Sequence, residues 1–354
     1  MKENKKNWCL VLLVLIIAFS YNVNGQNVDV PQRSQHTTVI QQLWLANVTI
    51  TYNSPSANGD TIFGNSVPHG QIWGAGDREN TTIEFLNDVK VEGQEVKAGK
   101  YGVFMIPQKN HFDLIFSKYS DSWFDTYPSD SDIVFRTSIT PEKIAYKKWL
   151  SYDFIERGAL KIVAAMQWGE IQVPFQIEII NPYEILLQSL TSQLKGREKF
   201  LWGAFSDAAS NLNGRNIYPE VALEWINKSL ELERNHINLQ VKASILLKKG
   251  GHKAAVKELL YEAIPIMRNP MVFNSAIYNL IQIGDTKKAI EAAKTLTEKF
   301  RNHPRIWMFT DTLAESYLKD GNKKKALEYY KLAQSKAPVQ QRSYYQNLIS
   351  KIEK

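Results

Sequence analysis

Apolar and polar residues alternate with a period of two along much of residues 36–180, which is the pattern of β-strands that bury one face. Many short strands separated by turn-forming residues indicate a sandwich or a barrel. We therefore predict an antiparallel β-sandwich or barrel domain over residues 26–182. The runs at 160–166 and 171–179 further predict a hairpin that turns at Trp168-Gly169. The clearest alternating apolar positions are Val48, Ile50, Tyr52, Tyr101, Val103, Met105, Phe112, Leu114 and Phe116.

The pattern changes after Asn181-Pro182 to segments rich in Ala, Leu, Lys and Glu, which favour helices. The residue before a proline avoids the helical region, so this dipeptide is a natural boundary between two domains. Small residues then recur in phase, with intervals of 33, 34 and 37 residues between the alanines. Small side chains let paired helices approach closely, and glycine supplies the turn between them. The recurring positions are Ala222, Ala255, Ala289 and Ala326, and Gly250, Gly284 and Gly321.

The last of these units resembles a tetratricopeptide repeat, a two-helix unit of about 34 residues that stacks on copies of itself. The resemblance implies an α-helical solenoid over residues 183–354 that engages a protein or peptide partner. A structural arm without a partner is the alternative. The resemblance rests on Leu313, Ala314, Tyr317, Gly321, Ala326, Tyr330, Ala333 and Pro338.

The β-half resembles an uncharacterised family, the domain of unknown function numbered 2911, over roughly residues 31–180. That family has no agreed activity to carry over, so the resemblance implies an exported domain and no particular chemistry. The matching positions are Ile50-Thr51-Tyr52, Ser54-Pro55-Ser56, Gly59, Phe63-Gly64, Val67-Pro68, Gly70, Trp73, Gly76, Glu79, Thr81-Thr82, Ala98-Gly99-Lys100-Tyr101-Gly102 and Ile106-Pro107.

An irregular stretch at 53–82 interrupts the strand pattern, and long loops on a β-scaffold are a usual place for a binding site. We predict that it binds a glycan or another small molecule such as a small anion. A hydrolase that uses His69, Asp77 or Glu79 is a further hypothesis. Ordinary loop chemistry and core filling by the tryptophan are the alternatives. The candidate ligand-binding residues are His69, Trp73, Asp77, Arg78 and Glu79.

The sequence contains no motif that predicts catalysis, a metal site or a cofactor. None of the six histidines pairs with another at metal-ligand spacing, and no Gly-x-Ser-x-Gly or phosphate-loop pattern occurs. We therefore assign no catalytic residue, no metal and no cofactor.

The N-terminus has the pattern of a secretory signal peptide over residues 1–25. Three lysines, at positions 2, 5 and 6, precede an apolar run at 8–19, and small residues lead to Gly25-Gln26. The run is shorter than the roughly 20 apolar residues that span a bilayer, so we predict cleavage and no transmembrane segment afterwards. The predicted location is periplasmic or secreted.

Charge is distributed unevenly between the two halves. Residues 26–182 hold 13 Lys and Arg against 18 Asp and Glu, whereas residues 183–354 hold 27 against 17. A basic half favours anionic partners, although nucleic acid is a poor candidate for an exported protein. Solvated helix faces, on which lysine is common, are the alternative. The sequence as a whole predicts an exported, non-enzymatic binding or scaffold protein. Its helical repeats would engage a partner in the envelope, and its β-domain would be a second binding module.

Overall fold

A computed structural model describes residues 34–57, 59, 61–121 and 126–353 of the chain. The predicted signal peptide lies outside these residues. The chain divides between Pro182 and Tyr183 into two compact units, a β-unit and a helical unit.

The β-unit contains two antiparallel sheets, built from strands that are numbered here in chain order. The six-stranded sheet has the order β1-β2-β3-β6-β7-β8, and the four-stranded sheet has the order β5-β4-β10-β9. The strands are β1 (Gln35–Leu43), β2 (Ala46–Ser54), β3 (Thr82–Phe85), β4 (Val89–Val91), β5 (Gln94–Val96), β6 (Gly99–Pro107), β7 (Phe112–Ser117), β8 (Ile133–Ile139), β9 (Glu142–Arg157) and β10 (Lys161–Ile179).

The two sheets pack face to face, which confirms the sandwich and identifies its core. Val48, Ile50 and Tyr52 alternate along β2 and are all buried, as a period of two requires. The ring of Tyr52 lies 5.0 Å from that of Tyr152 on β9 of the other sheet. Buried aromatic rings of this kind supply much of the apolar area that stabilises a sandwich.

The predicted hairpin at Trp168-Gly169 is wrong, because the chain continues straight through these residues as the long strand β10. Its true hairpin partner is β9, and the two strands shift register on both sides of Gly169. Gly169 has φ +62°, a value that glycine adopts at low cost, and the result is a β-bulge rather than a turn. An extra residue in a bulge interrupts the alternation much as a turn does, which explains the error.

The described residues of the helical unit form ten α-helices. They are α1 (Pro182–Gln193), α2 (Trp202–Arg215), α3 (Pro219–Leu232), α4 (His236–Lys249), α5 (Lys253–Ala263), α6 (Pro270–Ile283), α7 (Thr286–Lys299), α8 (Ile306–Lys319), α9 (Lys323–Lys336) and α10 (Val339–Glu353).

Helices α2 to α9 form four antiparallel pairs, which confirms the predicted repeat. The turns inside three pairs contain the predicted glycines, at φ values between +78° and +86°. The predicted alanine is the fourth residue of the second helix and is fully buried in three of the four pairs. In the remaining pair that position is the buried Val256, so the prediction at Ala255, which is half-buried, is wrong by one residue. The first helices, α2, α4, α6 and α8, contact one another more extensively than the second helices do. The array therefore curves so that the first helices lie on its inner side.

Among the described helices, none combines the length and the apolar character that a membrane-spanning helix needs.

Candidate functional site

A polar cleft of about 250 Å³ opens on the outer face of the six-stranded sheet. Its floor includes Thr51 and Asn53 of β2 and Thr82 of β3. Thr51 and Thr82 are register partners, so their side chains project from the same face of the sheet. Tyr52 lies between Thr51 and Asn53 and points the other way, into the sandwich core. The cleft thus occupies the solvent side of strands whose other side is packed.

One wall of the cleft is the segment after β7, which folds back over the sheet at Gly102. Asn80 Nδ2 donates a hydrogen bond to the Tyr119 carbonyl at 3.2 Å. A Cβ atom at Gly102 would lie 2.2 Å from both Asn80 Nδ2 and the Tyr119 oxygen, closer than any real contact. Only glycine allows this approach, and the approach places Ser120 and Asp121 at the edge of the cleft.

The other wall carries Glu79 and Asn80, and the segment before them is firmly anchored. Trp73 exchanges two backbone hydrogen bonds with Met105, each 2.8 Å. The Tyr152 hydroxyl donates to the Ala75 carbonyl at 2.9 Å. Burial raises the pKa of Tyr152, so this hydroxyl stays protonated and remains a donor. Fixed points on β6 and β9 therefore position the two polar side chains.

The charges in the cleft are mixed. Glu79 Oε2 lies 3.8 Å from His36 Nδ1, and the same nitrogen is within hydrogen-bond distance, 3.1 Å, of Asn53 Oδ1. Lys100 of β6 and Asp121 also line the cleft. Two carboxylates, one ammonium group and one imidazole thus share a space otherwise lined by hydroxyl and amide groups, and the carboxylates outnumber the one permanent cation.

Of the five residues predicted to bind a ligand, only Glu79 lines this cleft. Trp73 is half-buried, with its ring 5.9 Å from Trp168 and 6.1 Å from Phe63. His69 is exposed, and its ring lies over Gly64. Asp77 and Arg78 are half-buried, and Arg78 has φ +62°. A ligand-binding role for these four residues, and for Glu79, stays a prediction.

The sequence did not single out His36, Asn53, Asn80, Lys100 or Asp121 as site residues. The polar face of β2 was visible in Thr49, Thr51 and Asn53, but nothing in the pattern fixed which residue of β1 would lie opposite. In the part of the chain that the structure describes, no group of three or more His, Cys, Asp or Glu side chains could hold a metal ion.

A second candidate surface lies on the helical unit, along the less buried positions of α4, α6 and α8, and we call it the first-helix face. Side chains on this face join successive helix pairs, since the Tyr278 hydroxyl on α6 donates a hydrogen bond to Asp311 Oδ2 on α8 at 3.3 Å. A buried bond from Thr312 Oγ1 to Asn274 Oδ1, 2.7 Å long, fixes the same two helices beside it. The first-helix face comprises Gln240, Ser244, Ser275, Tyr278, Asp311 and Glu315.

Two carboxylates one helical turn apart are surrounded by tyrosines at one end of this face. The Tyr330 hydroxyl donates to Glu315 Oε2 at 2.5 Å. Asp311 has its pKa raised to about 6, chiefly because burial disfavours the charged form, with a smaller contribution from the charge of Glu315. Burial likewise raises the pKa of Tyr278 to about 12. At neutral pH the Asp311 carboxylate is therefore ionised but only partly hydrated.

Among the solved structures that match, three tetratricopeptide-type structures match the helical unit and show its fold alone. The crystal structure of MamA has a TM-score of 0.34 and 18% identity and covers 42% of this chain and 85% of that chain. A crystal structure of MamA protein has a TM-score of 0.35 and 18% identity and covers 45% of this chain and 83% of that chain. The crystal structure of YrrB is described as that of a TPR protein with an unusual peptide-binding site. It has a TM-score of 0.23 and 17% identity and covers 45% of this chain and 97% of that chain.

No curated protein sequence matches the chain. A family model matches the β-unit over residues 34–177, and this finding confirms the resemblance expected from its loop and strand motifs. Over those residues the β-unit thus resembles the family described as protein of unknown function (DUF2911).

Proposed function

We propose that this is an exported, non-enzymatic binding protein whose helical unit holds a basic peptide segment of a partner along the first-helix face. The observation that carries the proposal is the half-buried pair Asp311 and Glu315, which tyrosine hydroxyls contact and of which Glu315 also pairs with Lys319. The β-unit would act as a second binding module of the same protein.

The chemistry of these carboxylates favours a cationic partner group. Withdrawing a carboxylate from water is unfavourable unless hydrogen bonds or an opposite charge compensate. Glu315 has such a charge in Lys319, whose Nζ lies 3.6 Å from its Oε1, whereas the Tyr278 hydroxyl compensates Asp311 only in part. A lysine or arginine of the partner would supply an opposite charge to Asp311. Tyr344, which is 56% exposed, presents an aromatic ring nearby on α10, and aromatic rings attract cations.

The second helices carry more Lys and Arg than the first helices do, 12 against five, so the basic charge of the helical unit does not contradict this proposal. Helices α5, α7 and α9 together contain 11 lysines. Several lie over tyrosine rings, for example Lys257 and Lys288 at 5.1 and 5.5 Å from the ring centre of Tyr261. Exposed charges separated by more than about 10 Å are screened at physiological salt. Lys319 is nearer, since its Nζ lies 3.6 Å from Glu315 Oε1, so the half-buried Asp311 is the carboxylate on which the proposal depends most.

Peptide binding to the full chain tests the proposal. On an array of extended peptides that differ only in carrying Lys or Arg, Glu, or uncharged residues, we expect retention of the basic peptides. Changing Asp311→Asn together with Glu315→Gln keeps the side-chain shapes and should weaken binding at least tenfold, about 1.4 kcal/mol. Glu328→Gln, an exposed change on α9, is the matched control and should have no effect. Equal retention of all peptides would contradict the proposal.

The same binding should depend on pH in a defined direction. The pKa of Asp311 is about 6 in the free protein, and only the ionised form attracts a cationic side chain. Binding must therefore displace a proton below pH 6, so affinity should fall about tenfold between pH 7 and pH 5. Asp311→Asn should remove most of this slope. A titration showing tighter binding at pH 5 than at pH 7 would exclude Asp311 as the contact.

Export is proposed from the basic residues and the apolar run at the N-terminus. N-terminal sequencing of the protein from its native cells should give a mature chain that begins at or close to Gln26. A mature protein that retains residues 1–25 would show that the segment is not a cleaved signal.

A further inference from the structure

We propose that the cleft on the outer face of the six-stranded sheet binds a single neutral sugar ring. This site belongs to the β-unit and is independent of the peptide-binding face proposed for the helical unit.

The hydrogen-bonding groups of the cleft match the hydroxyl groups of a sugar. Thr51 and Thr82 each contribute a hydroxyl that both donates and accepts. Asn53 offers an amide with both functions, and the Glu79 carboxylate accepts. A sugar hydroxyl also donates and accepts at the same atom, so it can satisfy either kind of neighbour. A ligand that only donates or only accepts would leave part of this lining unpaired, which is unfavourable.

The balance of charge argues against a small anion. Lys100 is the one permanent cation among the lining residues, whereas Glu79 and Asp121 are both acidic. A phosphate or carboxylate beside Lys100 would be repelled by those two groups, and like charges in a partly enclosed site are unfavourable. A neutral ligand meets no such opposition.

The size of the cleft limits the ligand to about one ring. Sites for drug-sized molecules typically enclose roughly 300–1,000 Å³. This cleft, at about 250 Å³, lies just below that range. It is open to solvent, so a ring bound there could belong to a longer glycan that continues outside.

Contacts within the protein hold the walls of the cleft in place. The hydrogen bond from Asn80 to the Tyr119 carbonyl and the close approach at Gly102 fix one side. The anchored segment that begins at Trp73 fixes the other. A preformed site avoids the entropy loss of ordering loops on binding. Because the ring of Tyr52 faces the core, the lining offers no aromatic platform, so affinity should be modest, about 1 mM.

Ligand-detected NMR on the full chain tests the proposal, with glucose, galactose, N-acetylglucosamine, glucuronate, inorganic phosphate and glycine as probes. We expect saturation transfer to at least one neutral sugar. Thr51→Val should weaken that binding at least fivefold, because it removes a floor hydroxyl while keeping the branched shape that a strand favours. Thr49→Val changes the same face of the same strand outside the cleft and is the matched control.

Each other outcome overturns the proposal. Transfer only to glucuronate or glycine, or broadening of the phosphate 31P line without transfer to a neutral sugar, would identify a charged ligand instead of a neutral sugar. No transfer to any probe at 20-fold excess over about 1 mM would exclude a sugar site of this strength. Equal losses in Thr51→Val and Thr49→Val would show that binding occurs elsewhere. Peptide binding by the helical unit should be unchanged in Thr51→Val, so failure of one proposal is distinguishable from failure of the other.

Discussion

Gly102→Ala is expected to lower the free energy of unfolding of the β-unit by about 3 kcal/mol. The new methyl group would meet Asn80 Nδ2 and the Tyr119 carbonyl at 2.2 Å, so the segment after β7 would have to move away from the sheet. Inserting one methyl group into a well-packed site typically costs 1–3 kcal/mol, and a backbone neighbour cannot relax as a flexible side chain can. Gly102 is also buried, which leaves no route to solvent for the added group.

Gly74→Ala is the matched control for Gly102→Ala. It lies in the same unit and close to the same asparagine, but its added Cβ would meet only Asn80 Oδ1, at 3.8 Å. That is an ordinary van der Waals distance, so we expect a change within about 0.5 kcal/mol. Hydrogen exchange with mass spectrometry, followed across a denaturant series, reports the opening of each unit separately. Equal stability of the two variants would mean that the segment after β7 does not pack on Gly102.

Ala289→Leu is expected to destabilise the helical unit by about 3 kcal/mol. Ala289 is fully buried at the start of α7, within a cluster that includes Leu280 and Leu313. It occupies the repeat position at which a small residue lets paired helices approach closely. A leucine there adds three carbon atoms to a packed interior, which forces neighbouring helices apart.

Ala255→Leu changes a half-buried alanine one residue before Val256, which holds the equivalent position of the preceding pair, and there we expect a loss below about 1 kcal/mol. Ala255 is only half-buried, so a leucine side chain can extend towards solvent. Alanine and leucine are both good helix formers, and the same exchange is made in both variants. Differences in helix propensity therefore do not affect the comparison. Thermal unfolding of the two variants shows which one loses more stability. A larger loss in Ala255→Leu would contradict the assignment of the close-packed position.

The fold could be predicted in outline because its signals are local. The period of two in β2 follows directly from burying Val48, Ile50 and Tyr52 on one face, and the structure buries all three. The glycines at 250, 284 and 321 mark turns because only a residue free to adopt positive φ fits there. The β9–β10 pairing was missed because one bulge at Gly169 interrupts the pattern inside a single strand.

The cleft could not be predicted because it depends on contacts between distant residues. Asn53 and His36 are 17 residues apart in sequence, and they come into contact only because the register of β1 on β2 places them opposite each other. Asn80 meets Tyr119 across 39 residues, and the space for that contact exists because Gly102 has no side chain. A register shift of one residue would turn His36 to the opposite face, and no feature of β1 alone fixes that register.

The role of Trp73 likewise could not be decided from the sequence alone. Its place in a glycine-rich loop suggested a ligand platform, with core filling as the alternative, and both fit a lone tryptophan in sequence. The structure places its ring beside Trp168 and Phe63, residues that come from β10 and from another part of the loop. Its indole nitrogen donates to the Gly76 carbonyl at 3.0 Å. These contacts stabilise the segment that positions Glu79 and Asn80, a role that no local pattern encodes.

The most direct test of a peptide-binding helical unit is to map where a basic peptide contacts the full chain. A peptide that carries one photoreactive group beside its lysine or arginine is cross-linked to the protein, and the modified residues are identified by mass spectrometry. The proposed function predicts cross-links on α6, α8 and α10 around Tyr278, Asp311 and Tyr344. Cross-links confined to the second helices or to the β-unit would contradict it.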